Sequence, residues 1–171
     1  MKVLVLGDGH LGKEIINQTN WDYLSRSKDD IDTNKFDEWC WKMQGYDVIL
    51  NCIANTNTYS DEYRTIIKTN YEFVTYLSKF CDEMGIKLVH ISTDYVYTNS
   101  IHNASEDSVP APDRSWYSLS KVLADEHIIL FNKIIVIINI VIQLFGTFKI
   151  WLNQQIRSKS FLFIFLYKIA S

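Results

Sequence analysis

A chain of 171 residues, 47% hydrophobic and 22% charged, is long enough for one globular domain with a substantial core and too short for two typical ones. A formal net charge of −3 without any long basic run argues against nucleic acid as the main partner, yet leaves room for a small anionic ligand at a local site. Cys40, Cys52 and Cys81 show neither metal-ligand spacing nor a disulfide framework, so a reducing, cytoplasmic setting without a bound metal is expected.

The opening run Lys2-Val3-Leu4-Val5-Leu6 leads straight into Gly7-Asp8-Gly9-His10-Leu11-Gly12 and then a helix-like pattern over residues 13–18. Strand, tight turn and helix is the order a dinucleotide fingerprint requires, because glycine lets the backbone approach a pyrophosphate held at a helix N-terminus. The apolar run is too short for a signal peptide. Residues 21–24 read as a second strand, 35–43 as a short helix, and 48–53 as a third strand that begins after Gly45. A long helical pattern covers 63–84 and stops at Gly85, where left-handed geometry is wanted. Residues 87–91 form a fourth predicted strand, a polar loop with Pro110 and Pro112 leads into a helix over 115–131, and the β-branched run 134–142 is the fifth strand. This alternation predicts an α/β fold, a Rossmann-like doubly wound parallel sheet with helices on both faces. The apolar stretches 134–142 and 161–167 both fall short of the roughly 18 residues a membrane span needs.

In such sheets the chemistry gathers at the C-terminal ends of the strands. Asn51 to Thr56 close the third strand with small and polar residues suited to facing a cofactor, and Ser92-Thr93-Asp94 close the fourth with hydroxyls. Tyr117 and Lys121 lie one turn apart on the following helix, and an ammonium at i+4 is a means of lowering a phenol pKa from about 10. Other conspicuous residues read as structure. Trp39, Trp41 and Tyr46 suit a helix packed on the sheet, His90 a core strand position, and His102 and His127 have no partner pattern.

The run from Val89 to Tyr97, the stretch Trp116-Tyr117-Ser118-Leu119-Ser120-Lys121, Glu106-Asp107 with prolines behind it, and Asn51-Cys52-Ile53-Ala54 together resemble the extended short-chain dehydrogenase/reductases. Within that group the chain looks most like dTDP-4-dehydrorhamnose reductase and related nucleotide-sugar reductases, from Met1 to about Gly146. The resemblance implies that NADPH or NADH delivers hydride to a sugar 4-keto carbon while Tyr117 donates the proton. Lys121 would bind the nicotinamide ribose and depress the Tyr117 pKa, and Thr93 would hydrogen-bond the carbonyl oxygen or the phenol. Gly7, Gly9, His10, Leu11 and Gly12 would surround the pyrophosphate, Ala54 would lie along the cofactor, Asp30 and Ile31 belong to a segment that passes the adenine, and Asn70 supports the site. Arg26 is either a contact to a 2′-phosphate, which makes NADPH the modestly preferred cofactor, or part of a solvated basic turn.

Three departures from the family pattern stand out. The glycine turn is one residue shorter than the usual G-x-x-G-x-x-G, Ser118 replaces a common glycine, and the fifth strand lacks an Arg-Thr-Ser type of segment before Phe145-Gly146. The expected division is an NAD(P)-binding domain over 1–146 and a short apolar tail over 147–171, the remnant or altered end of a substrate lobe that relatives carry in full. The expected partners are a nucleotide-sugar and a second copy or another protein covering the missing lobe. A competing class stays open: a cofactor-binding or regulatory protein without turnover, a use of this fold seen in the regulatory subunit of methionine adenosyltransferase, or an inactive remnant.

Overall fold

The computed structural model describes residues 1–58, 62–97, 108–131 and 135–140. Five short strands form the sheet: β1 (Val3–Leu6), β2 (Asp22–Leu24), β3 (Val48–Asn51), β4 (Lys87–Thr93) and β5 (Ile135–Ile140). All pairings are parallel and the spatial order is β2-β1-β3-β4-β5. The expected doubly wound sheet is therefore present, and its fifth strand covers the described part, 135–140, of the β-branched run that announced it. The tail from 147 and the pair Glu106-Asp107 lie outside the described residues.

Side-chain alternation divides the core between two faces, as the period of a strand requires. Val3 and Val5 of β1, Val48 and Leu50 of β3, and Val89 of β4 turn to one face, where α1 (His10–Thr19) lays Ile15 on them. Leu4, Leu6, Ile49 and Leu88 turn to the other. That second face is covered by α3 (Phe36–Trp39), α5 (Phe73–Met84) and α6 (Trp116–Phe131), through Phe36, Trp39, Phe73, Leu77, Ala124 and Ile128. Among the described residues no helix is long and apolar enough to cross a membrane.

Several local features depart from the expected elements. The helix expected over 35–43 is broken into the 3₁₀ turn Thr33–Lys35, α3 and the 3₁₀ turn Cys40–Met43. Trp39 packs in the core as expected, whereas Trp41 is 60% exposed and donates its indole N–H to the Glu38 carbonyl. The basic turn after β2 is a four-residue helix, α2 (Arg26–Asp29). Ser25 caps it by accepting from Lys28 N–H, and Asp29 Oδ2 in return accepts from Ser25 N–H, a reciprocal arrangement that satisfies orphan amides at both ends of the turn.

The long helix does end on Gly85 in left-handed geometry, with Ile86 N–H donating to the Cys81 carbonyl. It is interrupted, however, between α4 (Tyr63–Ile67) and α5 by one π turn over Lys68–Glu72. Such wide turns insert one residue and are frequent at functional sites. This one carries Asn70.

Candidate active site

The chain leaves β1, builds β2 on one side, then crosses back to build β3 on the other side of β1. The reversal opens a crevice at the C-terminal ends of β1 and β3, the place where open α/β sheets take their ligands. Gly7 begins the turn there with φ +91, a value that L side chains rarely adopt, and a Cβ on it would fall 2.9 Å from the Ile53 side chain. Gly12 sits in the first turn of α1 against the loop itself: a Cβ would meet the Gly7 carbonyl oxygen at 2.0 Å. The one-residue-shorter turn therefore closes by pressing helix backbone directly on loop backbone. Gly9 precedes the helix with open space around its missing Cβ, and no side chain among the described residues caps α1.

Around this turn the expected cofactor residues are distributed unevenly. His10 is exposed at the start of α1, and Leu11 packs partly on the α1-side core. Ala54 is half-buried, directly after the segment that contacts Gly7. Arg26 is exposed at the first position of α2, and its neighbour Ser27 donates to Asp8 Oδ2 at 2.8 Å, which ties α2 to the glycine turn. Asp30 is exposed in left-handed geometry, while the Ile31 side chain is buried in the core beside Phe36. Asn51, expected to face the cofactor, is instead fully buried.

Tyr117, Lys121 and Asp125 follow each other at i, i+4 and i+8 on the buried face of α6. The helix is started by Ser115, whose hydroxyl oxygen accepts from Ser118 N–H at 3.1 Å. Ser118, in the place of the common glycine, is buried with its hydroxyl 2.9 Å from that of Ser115, so the cap absorbs the substitution. Asn70 links this helix to the end of β3. Its Oδ1 accepts from Asn55 N–H at 2.7 Å, and its Nδ2 donates to the Asn55 carbonyl at 2.9 Å and to Ser120 Oγ at 3.1 Å. Ser120 donates in turn to the Tyr117 carbonyl at 2.7 Å.

Thr93 lies near enough to the Tyr117 phenol to influence its pKa, while the Thr93 hydroxyl itself donates to Asp94 Oδ1 at 3.3 Å and accepts from Tyr95 N–H at 3.3 Å. Lys121 does not hold the phenol's pKa down in this structure. Burial raises the Tyr117 pKa above its usual value, the nearby Thr93 hydroxyl opposes the rise, and the carboxylate of Asp94 adds to it. Lys121 is 1% exposed, and its Nζ donates to the Ile91 carbonyl at 2.6 Å and lies 3.3 Å from His90 Nε2. Burial lowers its pKa to about 8, against the pull of Asp125 and Cys52.

Asp125 was invisible to sequence reasoning, although a carboxylate one turn beyond Lys121 on the same face was there to be read. Its Oδ2 accepts a hydrogen bond from Ser92, while Oδ1 is buried without a hydrogen-bond partner among the described residues. Burial pushes its pKa up to about 6, the Ser92 bond and Lys121 opposing. A carboxyl whose folded value exceeds its unfolded value of about 3.9 binds more protons folded than unfolded, so its contribution to stability is lost as pH rises through about 6. Denaturant unfolding of wild type and Asp125→Asn across pH 4–7 is expected to show the wild type losing about 2–3 kcal/mol relative to the variant. A pH-independent difference overturns this.

Three comparisons bear on this geometry. A dTDP-4-dehydrorhamnose reductase of Bacillus anthracis, solved in complex with NADP, superposes with a TM-score of 0.72 at 23% identity, covering 82% of this chain and 54% of that one. A hypothetical dTDP-4-dehydrorhamnose reductase of Sulfolobus tokodaii gives 0.72 at 27% identity, over 82% of this chain and 56% of its own. A decarboxylating sterol-4-alpha-carboxylate 3-dehydrogenase of Dictyostelium discoideum is 26% identical over 95 residues, 51% of this chain and 29% of that protein. The chain thus spans about half the length of these solved relatives and shares their Rossmann-like fold. The family described as RmlD substrate binding domain matches residues 1–159, past the end of β5 and across every element of the sheet, and the chain belongs to that family.

Proposed function

We propose that the protein carrying this chain uses a nicotinamide dinucleotide to reduce the 4-keto group of a 6-deoxy nucleotide-sugar, with residues 1–146 as the NAD(P)-binding domain and 147–171 as an altered end of the substrate lobe. The observation that carries this reading is that Thr93, at the end of β4, lies near enough to influence the Tyr117 phenol, with Lys121 one turn behind on α6, in a sheet whose reversal point is followed by a helix N-terminus without a side-chain cap. The residues fit a dinucleotide: among the described residues no side chain caps the N-terminus of α1, and space is open around the missing Cβ of Gly9.

Gly7, Gly9, His10, Leu11 and Gly12 bind the pyrophosphate in this reading. Asp30 and Ile31 pass the adenine, Ile31 by its backbone since its side chain is buried. Ala54 lies along the nicotinamide side, and Lys121 binds the ribose. Asn70 holds the β3 exit loop and α6 in register. Hydride is what the bound nicotinamide supplies. Tyr117 delivers the proton to the developing alkoxide, and Thr93 hydrogen-bonds the same oxygen. A phenol raised by burial holds its proton firmly until negative charge appears beside it, which suits an acid rather than a base.

Arg26, exposed beside the glycine turn, is proposed to favour NADPH through the 2′-phosphate. Calorimetric titration is expected to show saturable binding of both cofactors, with NADPH tighter by roughly 3–10-fold, the worth of one exposed charge-assisted contact of about 1 kcal/mol. Arg26→Ala should erase that preference. Absence of saturable binding by the folded protein sinks the nucleotide-binding reading, and a preference that survives Arg26→Ala sinks the role given to Arg26.

A further inference from the structure

A dinucleotide-binding sheet ordinarily reads the adenosine ribose with a carboxylate at the end of the second strand, roughly 20 residues beyond the glycine turn. In this chain that place is held by Ser25, Arg26 and Ser27, two hydroxyls and a guanidinium. A carboxylate nevertheless stands beside it, supplied from the other side of the crevice. Asp8, inside the glycine turn, accepts from the Ser27 hydroxyl through Oδ2 at 2.8 Å. The two segments leave neighbouring strands, and Gly7 N–H donating to the Leu24 carbonyl at 2.8 Å draws their exits together.

Donor counting sets the direction of these contacts. The Ser25 and Ser27 hydroxyls lie 3.1 Å apart. Each has one proton, and that of Ser27 goes to Asp8, so Ser25 donates to Ser27 and Ser27 to the carboxylate. Ser25 is itself fixed: it is fully buried, its oxygen accepts from Lys28 N–H at 3.3 Å, and its N–H donates to Asp29 Oδ2 at 3.0 Å. Two hydroxyls in series thus anchor one carboxylate oxygen, and bonds in such a chain polarise one another. The Ser27 bond, more than any other cause, holds the Asp8 pKa below the ordinary carboxylate range, so the group is charged at neutral pH. Asp8 is exposed, and a carboxylate with about four acceptor sites keeps capacity for a ligand donor.

We propose that Asp8 is a specificity-determining residue: held by Ser27, its carboxylate accepts a hydrogen bond from the ribose 2′-hydroxyl of NADH and repels the 2′-phosphate of NADPH, in opposition to Arg26. This rests on the nucleotide-binding reading above. A 2′-hydroxyl brings a donor to the carboxylate, whereas a phosphate brings one to two negative charges and only acceptors. Arg26 is not wholly free to answer them. The Asp32 carboxyl is held below its usual range first by hydrogen bonds from Asn34 and then, against burial, by the Arg26 guanidinium, so part of that charge is shared with Asp32. Repulsion between exposed groups is a few-fold effect that salt screens, the same scale as the attraction from Arg26. The two charges therefore narrow the cofactor preference, and removing either one tilts it in a defined direction.

The test needs no turnover. Asp8→Asn keeps an oxygen for Ser27 and removes only the charge, so a purely structural tie between α2 and the glycine turn would leave binding unmoved. Calorimetric titration at low ionic strength compares wild type, Asp8→Asn, Arg26→Ala and the double variant with NADPH and NADH, and with 2′,5′-ADP and 5′-AMP as fragments of their adenosine halves. Asp8→Asn is expected to bind NADPH about 3–10-fold tighter and NADH about 2–5-fold weaker. Arg26→Ala should go past parity and bind NADH about 3–10-fold tighter than NADPH, a gap that about 0.5 M NaCl should shrink. In the double variant the two cofactors should bind within a factor of about two. The fragments should shift as their parent cofactors do, which places the effect at the ribose. An NADPH-to-NADH affinity ratio unchanged in Asp8→Asn, or equal binding of both cofactors by Arg26→Ala, overturns the role of Asp8 and leaves the nucleotide-binding reading standing. Should Asp8→Asn fail to fold, Arg26→Ala decides. Binding of neither cofactor by folded wild type removes the nucleotide-binding reading, and this role with it.

Discussion

Tyr117→Phe is expected to lower turnover of a dTDP- or UDP-4-keto-6-deoxy sugar by about 10²–10⁴-fold while NADPH still binds within a factor of about two, because the substitution removes the general acid and leaves the ring in its packing. The ring sits edge-on to Tyr95 at 5.9 Å and is 4% exposed, so the phenylalanine fits the same place. Lys121→Ala is expected to impair both cofactor binding and turnover, since in this reading Lys121 contacts the ribose that positions the reacting nicotinamide. Steady-state kinetics beside calorimetry separates the two variants. A Tyr117→Phe protein as active as wild type would remove the proton donor from the mechanism. A wild type that binds NADPH yet never oxidises it with any such sugar would favour the non-catalytic reading.

Gly12→Ala is expected to be the most damaging single-methyl change in the cofactor site. The added Cβ would lie 2.0 Å from the Gly7 carbonyl oxygen and 3.4 Å from the Cys52 Cβ, and neither backbone nor strand end can yield cheaply. Relief requires α1 to lift away from the loop, which costs about 1–3 kcal/mol or more as overpacking and displaces the amides proposed to face the pyrophosphate. Denaturant unfolding should show the loss, and NADPH affinity should fall by at least about tenfold. Gly9→Ala provides the contrast. Its φ of −64 suits alanine and no atom lies within 4 Å of the new methyl, so the protein should keep wild-type stability and lose only cofactor affinity. Equal stability of Gly12→Ala and wild type would refute the packing argument.

Local pattern alone was sufficient for the order of strands and helices, the glycine turn opening α1, the left-handed stop at Gly85 and the Tyr117–Lys121 pairing. Each of these is written within one element: alternation in a strand, repeats of three and four in a helix, a glycine where φ turns positive. The family resemblance, carried by contiguous runs such as Ser92-Thr93-Asp94, belongs to the same level and agrees with the match over residues 1–159.

What stands between elements was decided by the tertiary structure. A polar residue in an apolar strand reads as an anomaly of packing until its cross-strand partner is known, which is why His90 was legible as a core residue but its pairing with Asn51, read as facing a cofactor, was not. The π turn leaves the run of buried positions unbroken, so the sequence around Asn70 reads as one uninterrupted helix. The sign of the Tyr117 shift follows the same logic. Spacing along α6 places an ammonium on the phenol's face, but burial raises the phenol, and the Lys121 nitrogen is taken up by the end of β4. Coulomb attraction between two groups is legible from their separation along a helix; the desolvation that outweighs it depends on everything packed around them.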